Sequence, residues 1–287
     1  MDERDARATL EAAGVFDRTA EPPRLLALGE NAVFASGGLV AKVARHAEPR
    51  GRARRELAVA EWLAEAGFPA VRAARSEPRL VHGRPVTLWH RLPDAVRPAG
   101  PDDLAALLRR VHALPPPPFP LPPRDLLGGV DRRLRAAGDA IDPEDAAWLL
   151  RRRDRLRDAV DALTPHLPRG PIHGDALPRN VHVGPDGPVL VDLETFSTDL
   201  REHDLVVMAL ARDRYGLPDR EYAGFARGYG WDVTEWEGYE VMRSAREIAA
   251  CAWSARHATT DAGARAEFEH RVASLRDGDP TARWHAR

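Results

Sequence analysis

The 287-residue sequence predicts an α+β fold: a small antiparallel sheet with one helix over residues 1–92, then a larger, mainly helical part over 93–287. Three observations carry this reading. Apolar runs broken by tight turns fill residues 24–92, the signature of paired strands. At Pro93 the character changes to amphipathic patterns with acidic starts and basic ends. Two short apolar runs around "GPDGP" (184–188) are the one strand-like interruption in the second part.

Each element follows in order. "MDERDARATL" is acidic and helical in pattern, unlike a signal peptide. "RLLALGENAVFASGGLVAKVAR" reads as strand, tight loop, strand, Gly-Gly turn and strand, with Ser36-Gly37-Gly38 as the hairpin signal. "PRGRARRELAVAEWLAEAG" places Leu57, Ala60, Leu63 and Ala64 at helical spacing, with Gly67 as the stop. "PAVRAAR" and "RPVTLWHRL" read as two further strands. After Pro93, "PDDLAALLRRVHAL" is an amphipathic helix whose charges match the helix dipole. "PPPPFPLPP" (115–123) is excluded from helix and central strand, so it is an extended surface loop or, alternatively, a Pro-rich ligand. "PEDAAWLLRRRDRLRDAVDAL" is a long helix capped at Asp142-Pro143, and the chain from His203 onward is helical.

Bulk composition excludes several classes. A net charge of −2 and the absence of a basic domain argue against a nucleic-acid partner. No apolar run approaches the ~20 residues of a membrane span. The single cysteine, Cys251, forbids an intramolecular disulfide and fits a reducing compartment, so a cytoplasmic protein is expected. Its apolar helical setting in "REIAACAWSA" reads as a buried, inert thiol.

Chemistry concentrates in "IHGDALPRNVHVGPDGPVLVDLETF" (172–196). Folding "VHV" and "VLVDLE" as a hairpin brings Asn180 and Asp192 to neighbouring positions. An amide oxygen beside a carboxylate is a partial shell of hard oxygens suited to Mg²⁺. Asp175 lies on the preceding loop, five residues before Asn180. A second signal is compositional. Of 42 basic residues only Lys42, in "GGLVAKVARH", is a lysine. A lone lysine amid arginines marks a position where a compact, strongly hydrated point charge serves and a guanidinium does not.

"HGDALPRN" followed by "VDLE" resembles the aminoglycoside phosphotransferase-like family of small-molecule kinases, related in fold to protein kinases with their H-R-D-x-x-x-x-N pattern. "ENAVFASGGLVAKVAR", "RRELAVAEWLAEAGFP", "LAALLRRVHALP" and "REHDLVVMAL" extend the likeness over roughly residues 25–210. The resemblance implies a two-lobed protein-kinase-like fold, with residues 1–92 as the nucleotide-binding N-lobe. The C-lobe, 93–287, then carries the catalytic loop, metal site and acceptor site.

It also implies roles. Asp175 is the catalytic aspartate that orients the acceptor hydroxyl and accepts its proton. Asn180 and Asp192 hold Mg²⁺. Lys42 reaches the phosphates of ATP or GTP and is held by Glu56, whose place six residues before Trp62 selects it over Glu61. Gly29, Glu30, Asn31 and Ala32 lay backbone over the phosphates, although the G-x-G-x-x-G of protein kinases is absent. The hinge, through Arg91 and Leu92, gives backbone hydrogen bonds to the base, while Trp89 reads as core rather than as a stacking surface. His173 fixes the loop structurally, His112 is packed core, and Asp204 braces the catalytic loop.

The acceptor is less defined. Glu194 is a second metal ligand, an acceptor contact, a side chain that supports the site residues from behind, or a solvated one. "WDVTEWEGYE" (231–240) offers Trp231, Asp232, Glu235 and Trp236 to a cationic acceptor if it lines the cleft. Its alternative is an acidic helix start with both tryptophans packed beneath. The expected activity is transfer of a γ-phosphoryl group to a hydroxyl of an antibiotic, an aminoglycoside or a neutral sugar- or nucleoside-bearing compound, by a monomer or weak homodimer. A primary-metabolism kinase acting on homoserine, choline or a sugar-like acceptor is the alternative, and a nucleotide-binding pseudokinase the non-catalytic one.

Overall fold

The computed structural model of the protein describes residues 1–17, 21–29, 31–47 and 50–285; Glu30, expected in the phosphate loop, lies outside them. In chain order the elements of the first half are α1 (Glu3–Ala13), β1 (Arg24–Leu28), β2 (Asn31–Ser36), β3 (Leu39–Ala44), α2 (Arg50–Glu65), β4 (Arg79–Val81), β5 (Arg84–His90), α3 (Pro101–His112) and α4 (Val130–Ala137). Then follow α5 (Pro143–Asp161), β6 (Gly170–Ile172), β7 (Val181–Gly184), β8 (Gly187–Leu190), β9 (Ser197–Asp199), α6 (Glu202–Tyr215), α7 (Asp219–Tyr229), α8 (Tyr239–His257) and α9 (Ala262–Arg276). The fold is α+β, and none of its described helices is long and apolar enough to cross a membrane.

Two compact units divide the chain. The first holds residues 1–103, 113–121 and 178–196. Its sheet has the order β1-β2-β3-β5-β4, antiparallel throughout. Strand alternation sorts side chains to the two faces. Ala32, Phe34, Ala41, Val43, Val86 and Leu88 form a core with Ala6, Leu10 and Ala13 of α1. Lys42, paired in register with Val33 and Thr87, therefore points to the opposite face.

Helix α2 ends where Gly67 takes φ 64°, the left-handed conformation that glycine adopts without a Cβ penalty, and Phe68 N–H returns to the Leu63 carbonyl at 2.8 Å. The strand expected over 69–75 is not a regular one. Its hydrogen bonds are shared between two partners: Ala74 N–H donates to Leu88 on β5, while Val71 N–H donates to Leu190 on β8. No continuous ladder forms. The short strand β4, which the sequence reading did not separate, takes the edge beside Arg84–Val86 instead.

The β7–β8 hairpin packs in the first unit, although a cut at residue 92 would assign it to the second part. Its backbone explains this: Leu190 N–H donates to Pro69, and Val96 N–H donates to Val183. The unit boundary thus follows hydrogen bonding rather than chain order.

The second unit holds residues 104–112, 122–177 and 197–287. Helix α6 is buried nearly all round from Glu202 to Leu210. A buried ion pair, Arg214–Glu247, joins α6 to α8, and a second, Arg271–Glu267, lies within α9, each at 2.7 Å. Asp142 caps α5 by accepting from Glu144 N–H, as the Asp-Pro start predicts. Residues 115–121 form no helix or strand, and Pro122 accepts from Thr198 N–H, so the Pro-rich segment is an extended connection. Cys251 is fully buried, and burial pushes its thiol up to about 12, leaving it protonated and inert.

Candidate active site

The first unit gathers its charges around Lys42. The Nζ of Lys42 lies 2.9 Å from Glu56 Oε1, 2.9 Å from Glu194 Oε2 and 3.7 Å from Asp192 Oδ1. Burial alone would favour the neutral amine. The three carboxylates outweigh it and raise the Lys42 pKa, so the ammonium stays charged. Glu56 is buried on the inner face of α2, whereas the rival Glu61 is exposed. Desolvation pushes Glu56 upward against the pull of Lys42. Glu194 is also partly desolvated, but Lys42 and Arg52 together hold its carboxylate below the usual range.

Glu194, expected at the acceptor or the metal, thus engages the lysine. Its second oxygen accepts from Arg52 Nη2 at 2.6 Å. Arg52 was not singled out in the sequence, although it lies four residues before Glu56 and so on the same helical face. That spacing was the available signal.

The hairpin register Val181↔Leu190 puts Asn180 beside Val191, whose N–H donates to the Asn180 carbonyl at 2.9 Å. Asp192 follows with φ 58°, a left-handed conformation that Asp tolerates better than most residues. This bend carries the chain out of β8 into a turn over Leu193–Thr195 and returns Glu194 toward α2. Ligand oxygens of Glu56, Asp192 and Glu194 lie within 4.8 Å of one another. These carboxylates are hard oxygen donors, and the set fits Mg²⁺.

Of the expected phosphate-covering residues, Gly29 and Asn31 form the tight start of β2, with Gly29 N–H donating to the Asn31 carbonyl, and Ala32 is buried in the sheet. At the hinge, Arg91 N–H donates to Gly38 and is already used. Trp89 is buried and its Nε1 donates to Thr87, so it is core.

In the second unit, Asp175 follows Gly174, whose φ is 83°. Asp204, at the start of α6, fixes this loop. Its carboxylate accepts from His173 N–H at 2.7 Å and Gly174 N–H at 2.8 Å, and its third partner is His112 Nε2 at 3.2 Å. His112 Nδ1 in turn lies 2.8 Å from the Tyr229 hydroxyl. Complete burial opposes ionisation of Asp204, but these donors override it and hold the carboxyl down at about 2. Asp175 N–H lies 3.3 Å from His173 Nδ1, so His173 orders the loop backbone.

The segment offered to a cationic acceptor is turned to structural use. Asp232 caps the turn Val233–Glu235, accepting from Thr234 N–H and from the Tyr222 and Thr234 hydroxyls. Trp236 is buried, with Nε1 donating to the Thr164 carbonyl, and Trp231 stacks on His166 at 4.2 Å. Glu235 is exposed. Of the alternative reading, an acidic helix start over Asp232–Glu240 with both tryptophans beneath it, the structure has Trp236 buried, whereas Trp231 is half-buried and the next helix, α8, starts at Tyr239. The second unit also places two arginines near Asp175, Arg124 and Arg246, for which a chain with 41 arginines offers no sequence signal.

No curated protein matches the chain by sequence. Solved structures do match in fold. A choline/ethanolamine kinase family protein from Mesorhizobium loti superposes with a TM-score of 0.66 at 18% identity, covering 96% of this chain and 94% of that one. An amicoumacin kinase in complex with AMP-PNP, Ca²⁺ and Ami gives a TM-score of 0.69 at 15% identity, over 98% and 95% of the two chains. The aminoglycoside phosphotransferase APH(3'')-Id from Streptomyces rimosus gives 0.60 at 22% identity, over 86% and 99%. These likenesses show the kinase-like α+β fold that the sequence resemblance implied. The phosphotransferase enzyme family matches residues 25–244, most of the chain and both clusters described above, and the protein belongs to that family.

Proposed function

We propose that this protein is a small-molecule kinase that transfers the γ-phosphoryl group of ATP or GTP to a hydroxyl of a small acceptor. The observation that carries the reading is the engagement of the lone lysine, Lys42, by Glu56, Glu194 and Asp192. A compact point charge held in this way supports a role for Lys42 at a nucleotide's phosphates. Asp175 orients the acceptor hydroxyl and takes its proton as the oxygen attacks phosphorus and the bond to the nucleoside diphosphate breaks. Asp204 holds the backbone of that loop, so Asp175 is positioned before the acceptor arrives. Asn180 and Asp192 hold Mg²⁺, which when bound neutralises phosphate charge. Gly29, Asn31 and Ala32 cover the phosphates, and the Arg91 carbonyl and Leu92 amide remain for the base.

An antibiotic is the first acceptor class to test, because an amicoumacin kinase and an aminoglycoside phosphotransferase are among the similar structures. The choline/ethanolamine kinase family structure supports a second reading, a metabolic alcohol as acceptor. We place the enzyme in the cytoplasm, as a monomer or weak homodimer. The deciding experiment incubates the protein with Mg²⁺, ATP or GTP and a panel of antibiotics and small alcohols, and detects added phosphate by mass spectrometry. Asp175→Ala should abolish transfer while nucleotide binding persists. Unchanged transfer in that variant overturns the assignment of Asp175, and nucleotide binding without transfer to any acceptor favours a pseudokinase.

A further inference from the structure

Three carboxylates surround the Lys42 ammonium, but they are not equivalent. The ammonium has three N–H donors. Glu56, from α2, accepts one at 2.9 Å, and Glu194, from the turn Leu193–Thr195, accepts another at 2.9 Å. Asp192 lies at 3.7 Å, beyond hydrogen-bond distance, and its side chain is 43% exposed against 13% for Glu194 and 7% for Glu56. Glu194 is set apart again by its second oxygen. Oε2 accepts from Lys42 while Oε1 accepts from Arg52 Nη2 at 2.6 Å, so both oxygens of this carboxylate are taken by cations.

Arg52 stands one turn before Glu56 on α2. That helix therefore reaches the lysine twice, directly through Glu56 and indirectly through Arg52 and Glu194. A lysine is a point charge on a flexible four-carbon stem, and one carboxylate alone does not fix its direction. Two anchors on different elements do. A metal distinguishes the carboxylates in the same way. Mg²⁺ demands near-octahedral oxygens at about 2.0–2.1 Å. To reach it, Glu194 would have to release an ammonium or a guanidinium, whereas the approach of Asp192 to the ammonium is a loose 3.7 Å.

We propose that Glu194 stays on Lys42 and Arg52 when metal and nucleotide bind, so that Arg52 is a positioning residue acting through Glu194 on the lysine, and the metal is left to Asp192 and Asn180. The proposal rests on the kinase reading and deepens it. It assigns Glu194 to the lysine rather than to the metal or the acceptor, and it gives Arg52 a role.

The test measures AMP-PNP binding to the whole chain by calorimetry, in Mg²⁺ and in EDTA, and then the free Mg²⁺ that half-saturates the Mg²⁺-dependent binding. Arg52→Gln should weaken binding by about threefold to fivefold in both conditions. Arg52→Lys should retain part of the affinity. Because the Arg52 side chain is 43% exposed, its loss should leave thermal unfolding nearly unchanged, which separates positioning from folding. In a Glu194→Gln background Arg52→Gln should add little, since the residue through which it acts no longer carries the charge. The Mg²⁺ requirement should be the same in Glu194→Gln as in the unmodified protein, whereas loss of a true metal ligand, as in Asp192→Asn, should raise it about tenfold or more. Three results would each overturn the assignment: no effect of Arg52→Gln, an equal effect in the Glu194→Gln background, or a raised Mg²⁺ requirement in Glu194→Gln. The second would place Arg52 directly on the phosphates, and the third would make Glu194 a metal ligand. Failure of the kinase reading looks different: the unmodified protein would bind no AMP-PNP even with Mg²⁺, and the role of Arg52 would fall with it.

Discussion

At the residue scale, Lys42 joins composition to chemistry. Its ammonium satisfies Glu56 and one oxygen of Glu194, both largely buried. Lys42→Met removes the shared cation. Glu194 retains Arg52, but Glu56 is left with no cation and is driven toward its protonated form. Breaking a buried pair of this kind costs about 3–5 kcal/mol, with the lower end expected here because Glu56 can take up a proton. Urea unfolding at neutral pH checks the loss, and it should shrink as the pH is lowered toward the raised pKa of Glu56. Lys42→Arg keeps the charge and separates two roles. Stability should fall less than in the Met variant, whereas turnover should drop by about tenfold or more, since a bidentate planar group misplaces a point contact. A near-normal rate would reduce the lone lysine to compositional chance. Part of this site was legible early because lysine is rare in this chain and therefore informative. Arg52 was not, because arginine is everywhere.

At the element scale, the catalytic loop depends on the first turn of α6. Asp204 sits there in a fully buried place where it accepts two backbone N–H groups from the loop. Asp204→Asn offers one acceptor oxygen and a donor where an acceptor is required, so at least one loop amide loses its partner. An unsatisfied buried group costs about 1–3 kcal/mol, and more when a charged bond is lost. The variant should unfold earlier in denaturant and show a lower kcat, with the nucleotide KM nearly unchanged because the partners of Asp204 are His112 and two loop amides and not Lys42 or its carboxylates. A KM effect as large as the kcat effect would contradict the bracing role. The helices and hairpins were legible because each carries its own punctuation: Asp142-Pro143, Gly67, Ser36-Gly37-Gly38 and "GPDGP". The strand expected over 69–75 was misread because its apolar alternation reports burial and cannot report how hydrogen bonds divide between β5 and β8. The same limit applies to 231–240, where charge and aromatic content were visible but the direction of the side chains was not.

At the scale of the whole molecule, the balance of charge makes acid the informative stress. Near neutrality the net charge is only −2, so the first protons taken up meet little general repulsion and site-specific effects should show. His203 supplies the largest of these. It is buried on α6 with Nδ1 unpartnered, Nε2 3.6 Å from Asp199, and Arg246, Arg124 and Arg169 nearby. Burial and those cations pull its pKa from 6.5 down to about 3. The folded chain therefore keeps His203 neutral between those values while the unfolded chain binds a proton, and stability falls as the pH drops through this window. One proton difference gives a slope near ~1.4 kcal/mol per pH unit, amounting to roughly 4 kcal/mol by pH 3. Asp204 adds a loss of the same sign only lower, between the ordinary carboxyl range and about 2, as its native hydrogen bonds are protonated away. The unfolding free energy should thus begin to decline near pH 6.5, well before carboxyl groups titrate. Denaturant unfolding at half-unit intervals from pH 7.5 to 4 measures it. His203→Gln should flatten the curve above pH 5 and leave the steeper acid limb intact. A slope unchanged by that substitution would assign the decline to other groups and remove His203 as the buried acid-sensitive site of this fold.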